Sequence, residues 1–176
     1  DRDYQFSTSL FGEYNIDNIR AAMATGIVFD VPLSELIDGI SSYRPANNRS
    51  QVVDTGRNIV IRDAYNANPS SMEKALASFA ALSAEKNMVI LGDMLELGTE
   101  SDSGHALVIS QLRSLGADVV ALVGPCFRQA AGDLPAYLFR SPEEAGEWLR
   151  SFKPEGYTIL VKGSRGMMLE KLYPLL

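Results

Sequence analysis

The stretch Asp63-Ala-Tyr-Asn-Ala-Asn-Pro-Ser-Ser-Met72 places an acidic residue and two amides directly after a short apolar segment. Residues 58–62 predict a strand, and residues 70–83 predict a helix because their apolar side chains recur at helical spacing. Ser70 with Glu73 fits the spacing of a helix capping box. The stretch therefore predicts a strand-to-helix turn, the repeating unit of an α/β sheet.

The polar side chains of this turn are candidates for ligand binding. In an open α/β sheet, ligands bind outside the carboxyl ends of the strands, which is where Asp63, Asn66 and Asn68 are predicted to lie. The alternative is an ordinary capped turn without a ligand, because Asp and Asn favour turns for local reasons. The turn alone leaves both interpretations open.

Short apolar runs alternate with helical patterns throughout the second part of the chain. Residues 51–54 and 58–62 predict a hairpin, and further strands are predicted at 88–91, 119–123, 136–139 and 157–161. Helices are predicted between them, at 103–115, after Gly124, after Ser141 and after Lys162. We therefore expect a Rossmann-like α/β fold, with a mostly parallel sheet and helices on both faces.

The first part of the chain has a different pattern. Helices are predicted at residues 13–24, with Gly26 as a stop, and at residues 32–41. The polar segment 42–50 predicts a linker, so we expect one unit at residues 1–47 and another at 48–176. Residues 1–11 show strand-like alternation and no initiator methionine, which suggests an excised fragment.

Composition excludes several classes of function. The net charge of -6 argues against a nucleic-acid partner. A single cysteine, Cys126, excludes an intramolecular disulfide framework, and a single histidine, His105, leaves few ligands for zinc. The cysteine count suits the reducing cytosol, so we expect a cytoplasmic location. The sequence lacks a long apolar run and a signal-peptide pattern, so we expect no membrane insertion.

The glycine-rich loop at residues 162–166 is a candidate anion site. Lys162, Ser164 and Arg165 offer cationic and hydroxyl donors at the start of the last predicted helix, which suits a carboxylate or a phosphate. The alternative is a glycine-rich turn with solvated charges. We expect this loop, like the loop at residues 92–98, to emerge at the same sheet edge as Asp63.

A third loop, residues 92–98, carries Asp93 and Glu96 after another predicted strand. The two carboxylates could hold a metal or orient an amine, or they could cap the backbone amides of the loop. His105 follows in a predicted helix, where it could act as a base, but no nucleophile is placed beside it by spacing. We therefore interpret His105 first as a structural or supporting residue.

The sequence contains neither a Gly-x-x-x-x-Gly-Lys-Ser/Thr phosphate loop nor a Gly-x-Gly-x-x-Gly fingerprint. If the chain handles a nucleotide, another segment must hold the phosphates.

The three loops, in this order and spacing, resemble the carboxy-terminal domain of the Mur ligases. Residues 12–22 resemble the last helix of the central ATPase domain of that family, with Tyr14 where histidine is usual. Within the family, the combination is most similar to the members that add D-alanyl-D-alanine to UDP-N-acetylmuramoyl tripeptide in peptidoglycan precursor synthesis. The resemblance covers nearly the whole chain and implies a cytoplasmic, monomeric, ATP-dependent amide ligase that uses magnesium.

The resemblance also implies roles for individual residues. The nucleotide-binding set has amides at the adenine, an arginine near the domain junction and an aspartate at the ribose: Asn15, Asn18, Arg49 and Asp63. The substrate-binding set shapes the site and receives the incoming dipeptide: Asn66, Asn68, Lys162, Ser164 and Arg165. The supporting set comprises Asp93, Glu96 and His105. Some relatives carry lysine at the position of Tyr65, so no phosphate contact is assigned there.

The phosphate loop, carbamylated lysine, magnesium ligands and UDP-binding domain of the family have no counterpart in this sequence. We expect them upstream of Asp1, and we expect the chain alone to be inactive. Two alternatives remain open at this point. One is a related ligase of the folate polyglutamate or cyanophycin type, and the other is a non-catalytic binding module, because fold alone does not decide function.

Overall fold

A computed structural model describes residues 4–82 and 84–176. Six strands form one sheet in the spatial order β1-β2-β6-β3-β4-β5. They are β1 (Gln51–Asp54), β2 (Ile59–Asp63), β3 (Asn87–Gly92), β4 (Val119–Val123), β5 (Tyr137–Phe139) and β6 (Thr158–Lys162). The first two strands form an antiparallel hairpin, and all other pairs are parallel. The prediction of a mostly parallel sheet is confirmed.

Six α-helices accompany the sheet in the described residues. They are α1 (Asn15–Val28), α2 (Leu33–Ser42), α3 (Pro69–Ala80), α4 (Ser101–Leu115), α5 (Pro125–Ala130) and α6 (Pro142–Phe152). Successive strand residues enter two separate cores: Ile61 and Leu91 pack with α3, α4 and α5, whereas Val60 and Ile90 pack with α6. The sheet is therefore covered on both faces, which explains why its strands are continuous apolar runs.

The sheet edge beyond β2 and β6 is a natural place for a ligand. These two strands are parallel neighbours, with Asp63 in register with Lys162. After β2 the chain continues into α3 on one face, whereas after β6 it continues into 3₁₀ turns that pack with α6 on the other. Because the two loops diverge, a crevice opens at the carboxyl ends of the strands.

Residues 4–50 precede the main sheet and contact it at Leu10 and Phe11. Phe11 is 6% exposed and packs in the same core as Ile61. The sequence predicted strand-like structure at residues 1–11, of which residues 1–3 lie outside the described part. In residues 4–11 the structure has only an isolated antiparallel bridge, between Leu10 and Gln51. Helices α1 and α2 pack on each other, and none of the helices in the described residues is long and apolar enough to cross a membrane.

Two predicted helix boundaries were wrong. Helix α1 does not stop at Gly26 but continues to Val28, and a Cβ at Gly26 would lie 2.2 Å from Leu36 of α2. That glycine therefore permits close helix packing. The capping box predicted for Ser70 and Glu73 is also wrong. Helix α3 is capped by Asn68 with Ser71, because Pro69 occupies the first helical position and the cap must precede it.

Two further predictions about helices also differ from the structure. Helix α3 ends at Ala80, and Ser83, the last residue of the predicted helix, lies outside the described residues. The segment after β6 forms two 3₁₀ helices, Arg165–Met167 and Leu169–Leu175, in place of the predicted regular helix. Met168 separates them with a left-handed φ of 50°, which an α-helix cannot contain.

Candidate functional site

A cleft of about 430 Å³ opens at the crevice beyond β2 and β6. Its volume falls within the range that holds nucleotide-sized ligands. The lining residues come from the start of α1, the linker before β1, the turn after β2, the start of α3 and the end of β6: Tyr14, Asn15, Asn18, Arg49, Ser50, Asp63, Tyr65, Asn66, Asn68, Ser70, Ser71, Lys74 and Lys162. The cleft thus gathers all four residues predicted for the nucleotide and three of the five predicted for the substrate.

A buried ion pair forms the floor of the cleft. Lys162 Nζ donates to Asp63 Oδ2 at 2.7 Å, and their side chains are 3% and 11% exposed. Asp63 Oδ1 accepts the backbone N–H of Ser50 at 2.9 Å, and Lys162 also donates to the Asn66 carbonyl at 3.3 Å. Both charges are compensated, and the aspartate still has acceptor capacity for a ligand hydroxyl.

Two asparagines from α1 form one wall. Asn15 Nδ2 donates to the Phe11 carbonyl at 2.7 Å and to Ser50 Oγ at 3.0 Å, while Asn15 Oδ1 accepts from Asn18 Nδ2 at 3.1 Å. The Tyr14 hydroxyl lies 2.9 Å from Ser50 Oγ. Burial and the nearby Asp63 carboxylate raise the pKa of Tyr14 to about 12, so the phenol keeps its proton at neutral pH.

The turn after β2 forms the opposite wall. Asn66 Oδ1 accepts the N–H of Ala67 at 2.8 Å, and Asn68 Oδ1 accepts the N–H of Ser71 at 2.8 Å, which caps α3. The start of α3 therefore faces the cleft, with Lys74 near the helix start. A helix N-terminus and nearby cations favour an anionic ligand.

The side chains of two arginines lie over the ring of Tyr65. The guanidinium carbon of Arg49 lies 3.7 Å from the ring centroid, and that of Arg165 lies 5.3 Å from it. In the described part of the chain, no salt bridge reaches either arginine. Arg165 is outside the lining of the cleft but stands beside it, and both cations add to the positive charge at its rim.

Ser164 has a different environment. It is 3% exposed, its N–H donates to the Asp93 carbonyl at 3.1 Å, and its Oγ accepts the N–H of Leu95 at 2.9 Å. Ser164 therefore joins the loop after β6 to the loop after β3 and does not line the cleft. Glu96, on the latter loop, is exposed to solvent away from the cleft lining.

Asp93 points inward and caps a helix. Its fully buried carboxylate accepts the N–H of Cys126 at 2.9 Å and the N–H of Phe127 at 2.8 Å, at the start of α5. The thiol of Cys126 lies near this carboxylate, and burial chiefly raises its pKa, so the thiolate is disfavoured.

His105 is fully buried and supports the loop after β3. Its Nδ1 bonds to the Ser101 carbonyl at 2.7 Å, and its Nε2 accepts the N–H of Met94 at 3.1 Å. These two bonds require the proton on Nδ1. His105 does not line the cleft.

Donor atoms of Asp93, His105 and Cys126 lie within 4.8 Å of one another, a spacing that could suit a metal ion. However, the imidazole Nε2 and both carboxylate oxygens already accept backbone N–H groups. Among residues 4–82 and 84–176, a single carboxylate lines the cleft, that of Asp63, and it is neutralised by Lys162. The described residues therefore do not fit magnesium, which prefers carboxylate and water oxygens in octahedral geometry.

Several residues of the cleft were not identified from the sequence. Ser50 follows Arg49 in a polar linker and carries no signal that separates it from other linker serines. Lys74 could have been found, because it lies about one turn after Pro69, in the helix that follows the predicted ligand-binding turn. Ser70 and Ser71 also line the cleft, because they lie in the first turn of the same helix.

Comparisons with known proteins identify the family of the chain. A family model described as Mur ligase, glutamate ligase domain, matches residues 48–165. The UDP-N-acetylmuramoyl-tripeptide–D-alanyl-D-alanine ligase of Treponema pallidum is 35% identical over 172 residues, covering 94% of this chain and 37% of that protein. The Bacillus subtilis ligase of the same name is 28% identical over 177 residues, covering 95% of the chain and 38% of the protein.

A solved structure of MurF from Acinetobacter baumannii has a TM-score of 0.77 and 30% sequence identity, covering 93% of this chain and 37% of that one. The chain thus spans a little over a third of the length of these relatives. The family model covers all six strands and helices α3 to α6, together with the turn after β2 and the loop after β6 as far as residue 165. The chain belongs to the Mur ligase family, of which it carries the glutamate ligase domain.

Proposed function

We propose that this chain supplies the nucleotide-facing and amine-facing part of an ATP-dependent ligase that joins D-alanyl-D-alanine to UDP-N-acetylmuramoyl tripeptide in peptidoglycan synthesis. The names of the relatives from Treponema pallidum and Bacillus subtilis support this reaction. The observation that carries the proposal is the cleft, in which the Asp63–Lys162 pair lies across from the amides of Asn15 and Asn18. In this proposal, residues 1–47 end a central ATPase domain and residues 48–176 form the carboxy-terminal domain.

The nucleotide occupies the cleft in this proposal. Asn18 and Asn15 present amide groups to the adenine edge, and Asp63 accepts the ribose hydroxyls beside its bond to Lys162. Arg49, stacked on Tyr65, lies near the phosphates. An amide pair, an acidic acceptor and a guanidinium match the three parts of a nucleotide in hydrogen-bonding type and charge.

The incoming dipeptide binds next to the nucleotide. Its carboxylate meets the positive rim formed by Arg165 and, deeper in the cleft, Lys162. Asn66 and Asn68 shape the wall between the two ligands, and Ser164 holds the loop that carries Arg165. Guanidinium groups suit carboxylates because two parallel hydrogen bonds can form.

The reaction proceeds in two steps. The tripeptide carboxylate attacks the γ-phosphorus of ATP, which gives an acyl phosphate and ADP. The amine of the dipeptide then attacks the acyl carbon, the amide bond forms, and phosphate leaves. Residues of this chain bind and orient the reactants, which accounts for a large part of such catalysis. Magnesium supplies charge neutralisation in phosphoryl transfer, and in this proposal its ligands belong to parts of the protein outside this chain.

The proposal is tested by measuring phosphate release from ATP by the complete protein that contains this chain. We expect release only when the tripeptide precursor and D-alanyl-D-alanine are both present. Release with glutamate in place of the dipeptide would instead favour a folate polyglutamate type of ligase. No release with any amine would favour a binding module without chemistry.

The 176-residue chain alone serves as the control. We expect it to release no phosphate under the same conditions, because it spans a little over a third of the relatives it matches. Appreciable turnover by the chain alone would contradict the division of labour proposed here.

A further inference from the structure

Ser50 occupies an unusual position at the junction between the first fifty residues and the sheet. It is 4% exposed, and its φ of 50° lies in the left-handed region. Residues with a Cβ avoid this region unless the surrounding structure enforces it, and such strain concentrates at functional sites. The conformation of Ser50 therefore requires compensating contacts.

Those contacts use every polar group of the residue. The N–H of Ser50 donates to Asp63 Oδ1 at 2.9 Å, and its carbonyl accepts the N–H of Phe11 at 3.0 Å. Its Oγ accepts from Asn15 Nδ2 at 3.0 Å and lies 2.9 Å from the Tyr14 hydroxyl. Ser50 thus connects the start of α1 with the end of β2.

The bond to Asn15 also fixes the orientation of its amide. With Nδ2 held by the Phe11 carbonyl and Ser50 Oγ, the oxygen of Asn15 is directed to Asn18. Without Ser50 Oγ, one of the two anchors of that nitrogen is lost. The amide of Asn18 would then be less well positioned, because among the described residues its side chain bonds only to Asn15.

We propose that Ser50 is a positioning residue, which aligns the adenine-facing amides of Asn15 and Asn18 with the ribose-facing carboxylate of Asp63. The inference rests on the nucleotide role proposed above and extends it to a residue that does not itself need to touch the nucleotide. Its backbone N–H orients the carboxylate, while its hydroxyl orients the amides. One residue thus holds the start of α1 and the end of β2 in a fixed relative position in the cleft.

Two substitutions at this position separate positioning from folding. Ser50→Ala removes the hydroxyl and keeps the strained Cβ, whereas Ser50→Gly removes the hydroxyl and relieves the strain. Both leave the N–H bond to Asp63 in place. We expect both variants of the complete protein to bind ADP about tenfold more weakly, since a lost hydrogen bond of this kind shifts affinity by about that factor.

Thermal stability should follow a different order, with Ser50→Gly melting above Ser50→Ala. The inference is overturned if ADP affinity follows melting temperature across these variants, or if both variants bind ADP as the parent does. Ser151→Ala, at an exposed site on α6, controls for serine loss and should bind ADP normally.

A double-mutant cycle with Tyr14→Phe adds a second readout. Because Tyr14 contacts Ser50 Oγ, we expect the combined loss of ADP affinity to be smaller than the product of the single losses. If the loss of ADP affinity in the double variant equals the product of the two single losses, Tyr14 and Ser50 do not act through a shared hydrogen-bond network. If the parent protein does not bind ADP, both the proposed nucleotide role and this inference are contradicted. If the parent binds ADP and the Ser50 variants bind it equally well, only this inference is contradicted.

Discussion

The side chains of Asp63 and Lys162 illustrate how single residues constrain this site. A lone charge buried at this depth is costly, whereas the pair at 2.7 Å compensates itself. Replacing Asp63 by alanine therefore does more than remove a ribose acceptor, because it leaves Lys162 without its carboxylate. Any loss of activity in that variant would mix ligand binding with folding.

A paired substitution separates these effects. We expect Lys162→Met or Asp63→Asn alone to lower the free energy of unfolding by about 3–5 kcal/mol, whereas the double variant recovers most of that loss. Urea denaturation of the three variants measures this directly. A double variant as unstable as the sum of the two single ones would mean that the charges do not compensate each other.

The phenol of Tyr14 gives the structure a measurable alkaline response. Its pKa rises from 10.0 to about 12 in the folded protein, chiefly through burial. Since the unfolded chain loses this proton first, the stabilising contribution is present below pH 10 and is lost as the pH rises to 12. We expect Tyr14→Phe to show a shallower fall in unfolding free energy across that interval than the parent. Equal slopes would mean that the folded and unfolded phenols titrate alike.

At the scale of elements, the loop after β3 and the start of α5 depend on each other. The Asp93 carboxylate caps α5 from the loop after β3, and it occupies the space beside Gly124. A Cβ at Gly124 would lie 2.3 Å from the Asp93 carboxylate, and the φ of 121° already disfavours side chains there. The glycine is therefore required by both space and conformation.

Two glycine substitutions test this requirement. Gly124→Ala should lower the free energy of unfolding by at least about 3 kcal/mol, because the cap and the backbone are both disturbed. Gly116→Ala, at a left-handed position with open space around it, should cost only about 1 kcal/mol. Thermal or urea denaturation of both variants compares them. Similar losses would show that conformation alone matters and that the Asp93 contact does not.

Most helices and strands could be predicted from the local pattern of apolar residues, whereas some of their ends depend on contacts that this pattern does not show. The runs at residues 119–123 and 88–91 are continuous and apolar because both sheet faces are covered, so their assignment as strands was straightforward. The end of α1 was wrong because Gly26 serves packing against Leu36, a long-range cause that local sequence does not reveal. The 3₁₀ turns after β6 likewise reflect the left-handed Met168.

For the whole molecule, the sequence predicted that loops after three strands would meet at one edge, and the strand order confirms it. It could not predict that β2 and β6 are immediate neighbours, because they are separated by most of the domain in the chain. The Asp63–Lys162 pair follows from that adjacency. For the same reason, the inward orientation of Asp93 and His105 could not be predicted, because their backbone partners lie on other elements.

The central claim is that the cleft between the start of α1 and the end of β2 holds the nucleotide. Hydrogen exchange of the complete protein, with and without ADP, measures local protection of backbone amides. We expect ADP to slow exchange in three separate segments, at residues 11–18, 48–50 and 63–68, which meet only in the folded cleft. ADP binding without added protection in these segments would contradict the account.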